Sequence, residues 1–103
     1  VGSILDNQII NDINAEFEIK EIYHLAAMLS TKSEYAPFTA NQVNVDGTLK
    51  MIELSIKQAM AQNDSVKFFF PSSIAVYETR DDKTPLDELE CLNPKTIYGM
   101  NKL

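Results

Sequence analysis

The amino-acid sequence predicts an α/β protein, a parallel sheet with flanking helices, and three observations carry that expectation. Apolar residues first recur with a helical period, a short apolar run follows, and the same order then repeats. The second run is apolar at successive positions, as in a strand covered on both faces of a parallel sheet. Helix, strand, helix, strand, loop and helix is the rhythm of right-handed crossovers, and such sheets bind ligands beyond the carboxyl ends of their strands.

The first helix is expected between Gln8 and Phe17, where Ile9, Ile10, Ile13 and Phe17 recur at helical spacing, with Asp6 or Asn7 as N-cap. The segment "EIYHLAA" then reads as a short buried strand, Glu21 to Leu25, running into small residues. A longer helix follows from about Asn41 to Gln62, carrying Val45, Leu49, Ile52, Ile56 and Met60 on one stripe. Pro37 stands ahead of it and Asn63-Asp64 marks its end. "VKFFFPSS" is the second strand, closed by Pro71. From Glu78 to Leu92 the chain is polar and acidic without a clean period, which predicts a loop. Asn93-Pro94 gives a start signal for a last helix, on which Tyr98 and Lys102 fall.

With 103 residues the chain is one domain at most, and 45% hydrophobic against 23% charged residues predicts a folded one. A net charge of −6 and a pI near 4.6 argue against nucleic acid, whose backbone is held by clustered lysine and arginine. The single Cys91 forms no internal disulfide and no apolar run approaches the length of a membrane span, so a soluble cytoplasmic protein is expected. The chain starts without methionine and stops just after Lys102, which is read as a fragment.

The chemistry is expected at three places. Tyr98 and Lys102, four positions apart, share one helix face with Cβ atoms roughly 5–6 Å apart. Ser72 and Ser73 follow the second strand, and Ala26 and Ala27 follow the first. A phenol of pKa near 10 is a poor base at neutral pH, and bringing it to about 7 needs roughly 4 kcal/mol of preference for the phenolate. A cation such as Lys102 supplies that preference. His24, in a buried strand, reads as a hydrogen-bonded core residue, and one His with one Cys indicates no metal site.

In this order the segments "HLAA", "VNVDGT", "FFFPSSIAVY" and "YGMNK" resemble the central part of an extended short-chain dehydrogenase/reductase, of the epimerase/dehydratase superfamily. The resemblance covers nearly the whole chain. It implies a Rossmann-like parallel sheet, of which residues 1–103 are the central segment of one NAD(P)-binding domain. It also implies NAD or NADP as cofactor, a small-molecule substrate, and a homodimer for the complete protein. By it, Tyr98 is the general base, Lys102 its electrostatic support, and Ser73 the hydrogen-bonding partner of the substrate oxygen. Leu25, Ala26 and Ala27 lie against the cofactor, Asp6 accepts from the adenine amino group, and Asn44 ties backbone near the site.

Within the superfamily, "AAMLST" and "NPKTIYGMNK" look most like the short-chain type of L-threonine 3-dehydrogenase, where Ser30, with Thr31 beside it, lines the substrate site. Dehydratases carry an Asp-Glu pair after the catalytic Ser or Thr; here Ile74 and Ala75 stand there. A nucleotide-sugar 4-epimerase is the alternative enzyme, and a non-catalytic dinucleotide sensor the alternative of another class. Glu78 departs from the glycine usual after this "VY" pair, and the glycine-rich phosphate turn lies outside the sequence.

Overall fold

The computed structural model describes residues 1–77 and 85–103. Glu78, and with it the first part of the expected acidic loop, lies outside the described residues.

The first helix, α1 (Asn7–Glu16), starts where its cap requires: the Asp6 carboxylate accepts from the backbone N–H groups of Gln8 and Ile9. Strand β1 (Glu21–Tyr23) then pairs in parallel with β2 (Lys67–Phe69), Ile22 opposite Phe68 and Tyr23 opposite Phe69. This two-stranded sheet with its helices is the parallel α/β arrangement expected. β1 is shorter than expected, since His24 continues the pairing with one bond to the Phe69 carbonyl while Leu25 turns away.

The long helix begins earlier than expected and in pieces. Helix α3 (Pro37–Asn41) has Pro37 in its first turn, a π-helical turn covers Gln42–Asp46, and α4 runs through Gly47–Gln62. Asn63 ends it in the left-handed conformation, at φ 49°, which asparagine tolerates. An unexpected short helix, α2 (Ser30–Tyr35), precedes α3.

The expectation that the second strand is buried on both faces is corrected. Ile22, His24, Phe68 and Phe70 share the face toward α4, with Phe68 and Phe70 lining one groove with Val45, Thr48 and Leu49. The other face carries Tyr23 and Phe69, whose rings meet at 5.8 Å, and it remains exposed. No helix among the described residues packs over it, so the apolar run of β2 exceeds what two strands and one helical layer bury. The stripe on α4 is likewise open at Leu49, Ile56 and Met60, while Gly47, Leu54, Ser55 and Gln58 form its buried face.

Beyond β2 a 3₁₀ turn (Ile74–Val76) leads to an antiparallel bridge between Tyr77 and Leu92, and the Asn93 N–H bonds the Val76 carbonyl. The last helix, α5 (Ile97–Lys102), is capped by Thr96, whose hydroxyl accepts from the Gly99 N–H. Asn93 was the expected cap; its backbone is committed to the bridge, and the helix starts four residues later. No helix among the described residues is long and apolar enough to cross a membrane.

Candidate active site

Parallel pairing puts the carboxyl ends of β1 and β2 at one edge, and the chain that leaves each strand builds the site there. After β1, Leu25 and Ala26 are exposed and Ala27 is half-buried. The segment is fixed one residue later by Asn44, whose side chain accepts from the Met28 N–H at 2.7 Å and donates to the Met28 carbonyl at 3.0 Å. Asn44 is buried within the π-helical turn. Its side chain thereby ties the backbone at Met28 to the helical layer.

After β2, Ser73 caps the 3₁₀ turn, its hydroxyl oxygen accepting from the Ala75 N–H at 3.2 Å. The hydroxyl proton has no acceptor among the described residues and remains available to a ligand oxygen. Ser72 is exposed.

Helix α5 is fastened to both segments. The Asn101 side-chain oxygen accepts from Asn44 at 3.2 Å, which joins α5 to the turn after β1. The Lys102 ammonium donates to the Pro71 carbonyl at 3.1 Å and lies 4.3 Å from the centre of the Phe70 ring, which joins it to the end of β2. Gly99 makes the second approach possible, because a Cβ there would stand 2.2 Å from the Ala75 carbonyl oxygen. The Ile97 N–H is held by the Glu34 carboxylate of α2 at 2.7 Å.

The electrostatics are uneven. Lys102 is 6% exposed, and among the described residues no carboxylate pairs with it. Burial pulls its pKa down from the ordinary lysine value, so the charged form is held at a cost that a nearby anion would relieve. One turn earlier on the same helix, Tyr98 is half-buried and its hydroxyl has no hydrogen-bond partner among the described residues. A buried cation without a carboxylate partner among the described residues, one helical turn from a phenol, can stabilise negative charge on oxygen.

The structure thus brings Ser73, Tyr98, Lys102, Asn44 and the turn from Leu25 to Ala27 to one edge. Ser30 and Thr31 sit exposed in the first turn of α2, which packs on α5. Asp6 stands apart: its bonds are the cap of α1, and none links it to the Tyr98 cluster.

Sequence reasoning passed over Gly99 and Asn101. A glycine inside a helical segment is disfavoured by roughly 1 kcal/mol against alanine, which was the available signal for the first. Asn101 had none, since its partner Asn44 is 57 residues away.

The whole chain, residues 1–103, matches the family model described as GDP-mannose 4,6 dehydratase. Among solved structures it is 37% identical to a monomeric L-threonine 3-dehydrogenase from a metagenome, with a TM-score of 0.81 over 98% of this chain. The corresponding values are 32% and 0.80 for L-threonine 3-dehydrogenase of Trypanosoma brucei, and 29% and 0.84 for UDP-glucose 4-epimerase of Thermotoga maritima. An uncharacterized epimerase/dehydratase of Staphylococcus aureus is 28% identical over 100 residues. The chain spans 29% of that relative's length and 31% of the metagenomic dehydrogenase. Its match over every residue, on a parallel α/β framework, places the chain in the GDP-mannose 4,6 dehydratase family of the extended short-chain dehydrogenases/reductases.

Proposed function

We propose that this chain is the central part of one NAD(P)-binding Rossmann domain in an oxidoreductase that oxidises a secondary alcohol, such as L-threonine or a small hydroxy acid. The observation that carries the reading is the buried Lys102 ammonium, unpaired by any carboxylate among the described residues, one turn beyond an unengaged Tyr98. The likeness to two L-threonine 3-dehydrogenases supports the substrate class.

The residues at the strand edge fit a dinucleotide: Ala26 and Ala27 offer no side chain beyond Cβ, and Lys102 offers a desolvated cation. Leu25, Ala26, Ala27, Asn44, Tyr98 and Lys102 are the proposed contacts nearest the chemistry, with Asp6 at the adenine end. NAD or NADP, when bound, supplies the hydride acceptor.

Ser73 donates its free hydroxyl proton to the substrate oxygen and fixes its position. Tyr98 withdraws the proton from the same hydroxyl as general base, and Lys102 stabilises the negative charge this requires. Ser30 and Thr31, on the helix braced against α5, grip the polar groups of the substrate. Dehydration is not proposed, because Ile74 and Ala75 offer no acid or base after Ser73. The complete protein is proposed as a cytoplasmic homodimer that uses the open stripe of Leu49, Ile56 and Met60.

The likeness to UDP-glucose 4-epimerase favours a second reading, in which the same residues oxidise and re-reduce a nucleotide sugar. The test is on the full-length gene product: nicotinamide absorbance is followed with NAD⁺ or NADP⁺ and L-threonine, beside Tyr98→Phe. Tyrosine-dependent reduction is expected. Interconversion of UDP-glucose and UDP-galactose without net reduction promotes the epimerase, and cofactor binding with neither reaction promotes the sensor.

A further inference from the structure

Beneath the Tyr98/Lys102 face lies a histidine that the proposed chemistry does not use. His24 is 4% exposed, and its ring nitrogen Nε2 is 2.9 Å from the Thr48 hydroxyl oxygen. That hydroxyl has one proton, and it donates it to the Asn44 carbonyl at 2.6 Å. The contact with His24 must then be donated from the ring, which fixes the Nε2–H form. The ring also stacks on Phe70, at 6.0 Å between centroids and 17° between planes. Phe70 is the ring over which the Lys102 ammonium sits.

We propose that His24, held as the neutral Nε2–H tautomer, is a positioning residue for Lys102. Its ring backs Phe70, and its bond to Thr48 fixes the π-helical turn whose Asn44 holds Asn101 on α5. The inference rests on the reading of Lys102 as support for Tyr98.

The position uses two properties at once. Phenylalanine would stack without bonding Thr48, and glutamine would bond Thr48 without stacking; histidine does both. The imidazole is faced by Thr48 from α4, by Phe68 and Phe70 from β2 and its end, and by Lys102 from α5. Lys102 is the charged group acting on it among the described residues, so an imidazolium would set two cations against one aromatic ring. Burial first, and the Lys102 charge second, keep the ring neutral by lowering its pKa.

The test uses isotope-labelled full-length protein. At neutral pH the ¹⁵N pattern of His24 is expected to show a proton on Nε2 and a bare Nδ1. The ε-methylene of Lys102 is expected upfield, under the ring current of Phe70. Thr48→Val, nearly isosteric, should move that resonance toward its random-coil position and lower kcat about tenfold with KM changed less than about twofold. Thr48→Ser should restore both. His24→Gln and His24→Phe should each lose part of kcat, because each keeps one property.

An Nδ1–H tautomer or an imidazolium at neutral pH would overturn the proposal. So would a Thr48→Val protein with the wild-type Lys102 resonance. If the wild type reduces no dinucleotide, the functional reading fails by itself, and the Lys102 resonance in the Thr48 variants still supports or overturns the positioning role.

Discussion

Two buried polar side chains at opposite edges of the sheet are treated in opposite ways. At the amino edge, Gln58 is 4% exposed and saturated. Its oxygen accepts from the Ile19 N–H at 2.9 Å and from Gln62 at 2.7 Å. Its amide nitrogen bonds the Phe17 carbonyl at 3.0 Å and Asn14 at 2.9 Å. One neighbouring acceptor, Gln62 Oε1, has no partner among the described residues. At the carboxyl edge, Lys102 is 6% exposed, and among the described residues its ammonium has the Pro71 carbonyl as hydrogen-bond partner and the Phe70 ring beneath it. A neutral group whose bonds are all made holds the fold together. A charge with no carboxylate partner among the described residues weakens the fold, and in the function proposed above it acts on a ligand.

The contrast breaks apart under mutation, and the largest effect belongs to Tyr98. In the full-length protein, Tyr98→Phe is expected to lower kcat about a thousandfold or more while unfolding free energy stays within about 0.5 kcal/mol, since the hydroxyl has no partner among the described residues. Steady-state turnover and urea denaturation check the two halves. Gly99→Ala comes next. Its Cβ would meet the Ala75 carbonyl, so α5 must lift away from Ser73, with about a hundredfold loss of kcat.

Gln58→Leu should do the reverse. It leaves the Ile19 N–H and the Phe17 carbonyl without partners, costs about 2 kcal/mol or more in urea, and leaves kcat of the folded protein within about twofold.

The smallest effect is on pH. The folded-state pKa of His24 lies below the ordinary 6.5, so the unfolded chain takes up the proton first as the solution is acidified. Its contribution is fully present above pH 6.5 and is lost as pH falls toward the folded-state value. Glu21 and Glu53 have carboxyl pKa values lowered by Lys67 and Lys57, and these act below 4.5, in a separate window. The slope of the urea midpoint between pH 6.5 and 4.5 should be absent in His24→Phe.

Much of the carboxyl edge was legible because its signals are local. The Asn93-Pro94 start signal announced a last helix carrying Tyr98 and Lys102, the apolar run located β2, and Asp6 announced α1. What was not legible depends on partners distant in the chain. Asn93 reads as a cap until the bridge of Tyr77 with Leu92 claims its backbone. The stripe from Val45 to Met60 has a sound helical period, yet the period does not tell which side meets protein; the buried side is chosen by Gln58 and Leu54 against the α1 end. The π-helical turn, which aims Asn44 at both Met28 and Asn101, has no signature in "QVNVD".

The most direct single measurement is Lys102→Met in the full-length protein, with turnover and urea unfolding read on the same preparation. Methionine keeps an unbranched stem against Phe70 and removes the charge. The expected result is kcat lowered about a hundredfold or more with an unfolding midpoint equal to or above that of the wild type. Retained turnover with a lowered midpoint would contradict it, and would make Lys102 a structural residue like Gln58.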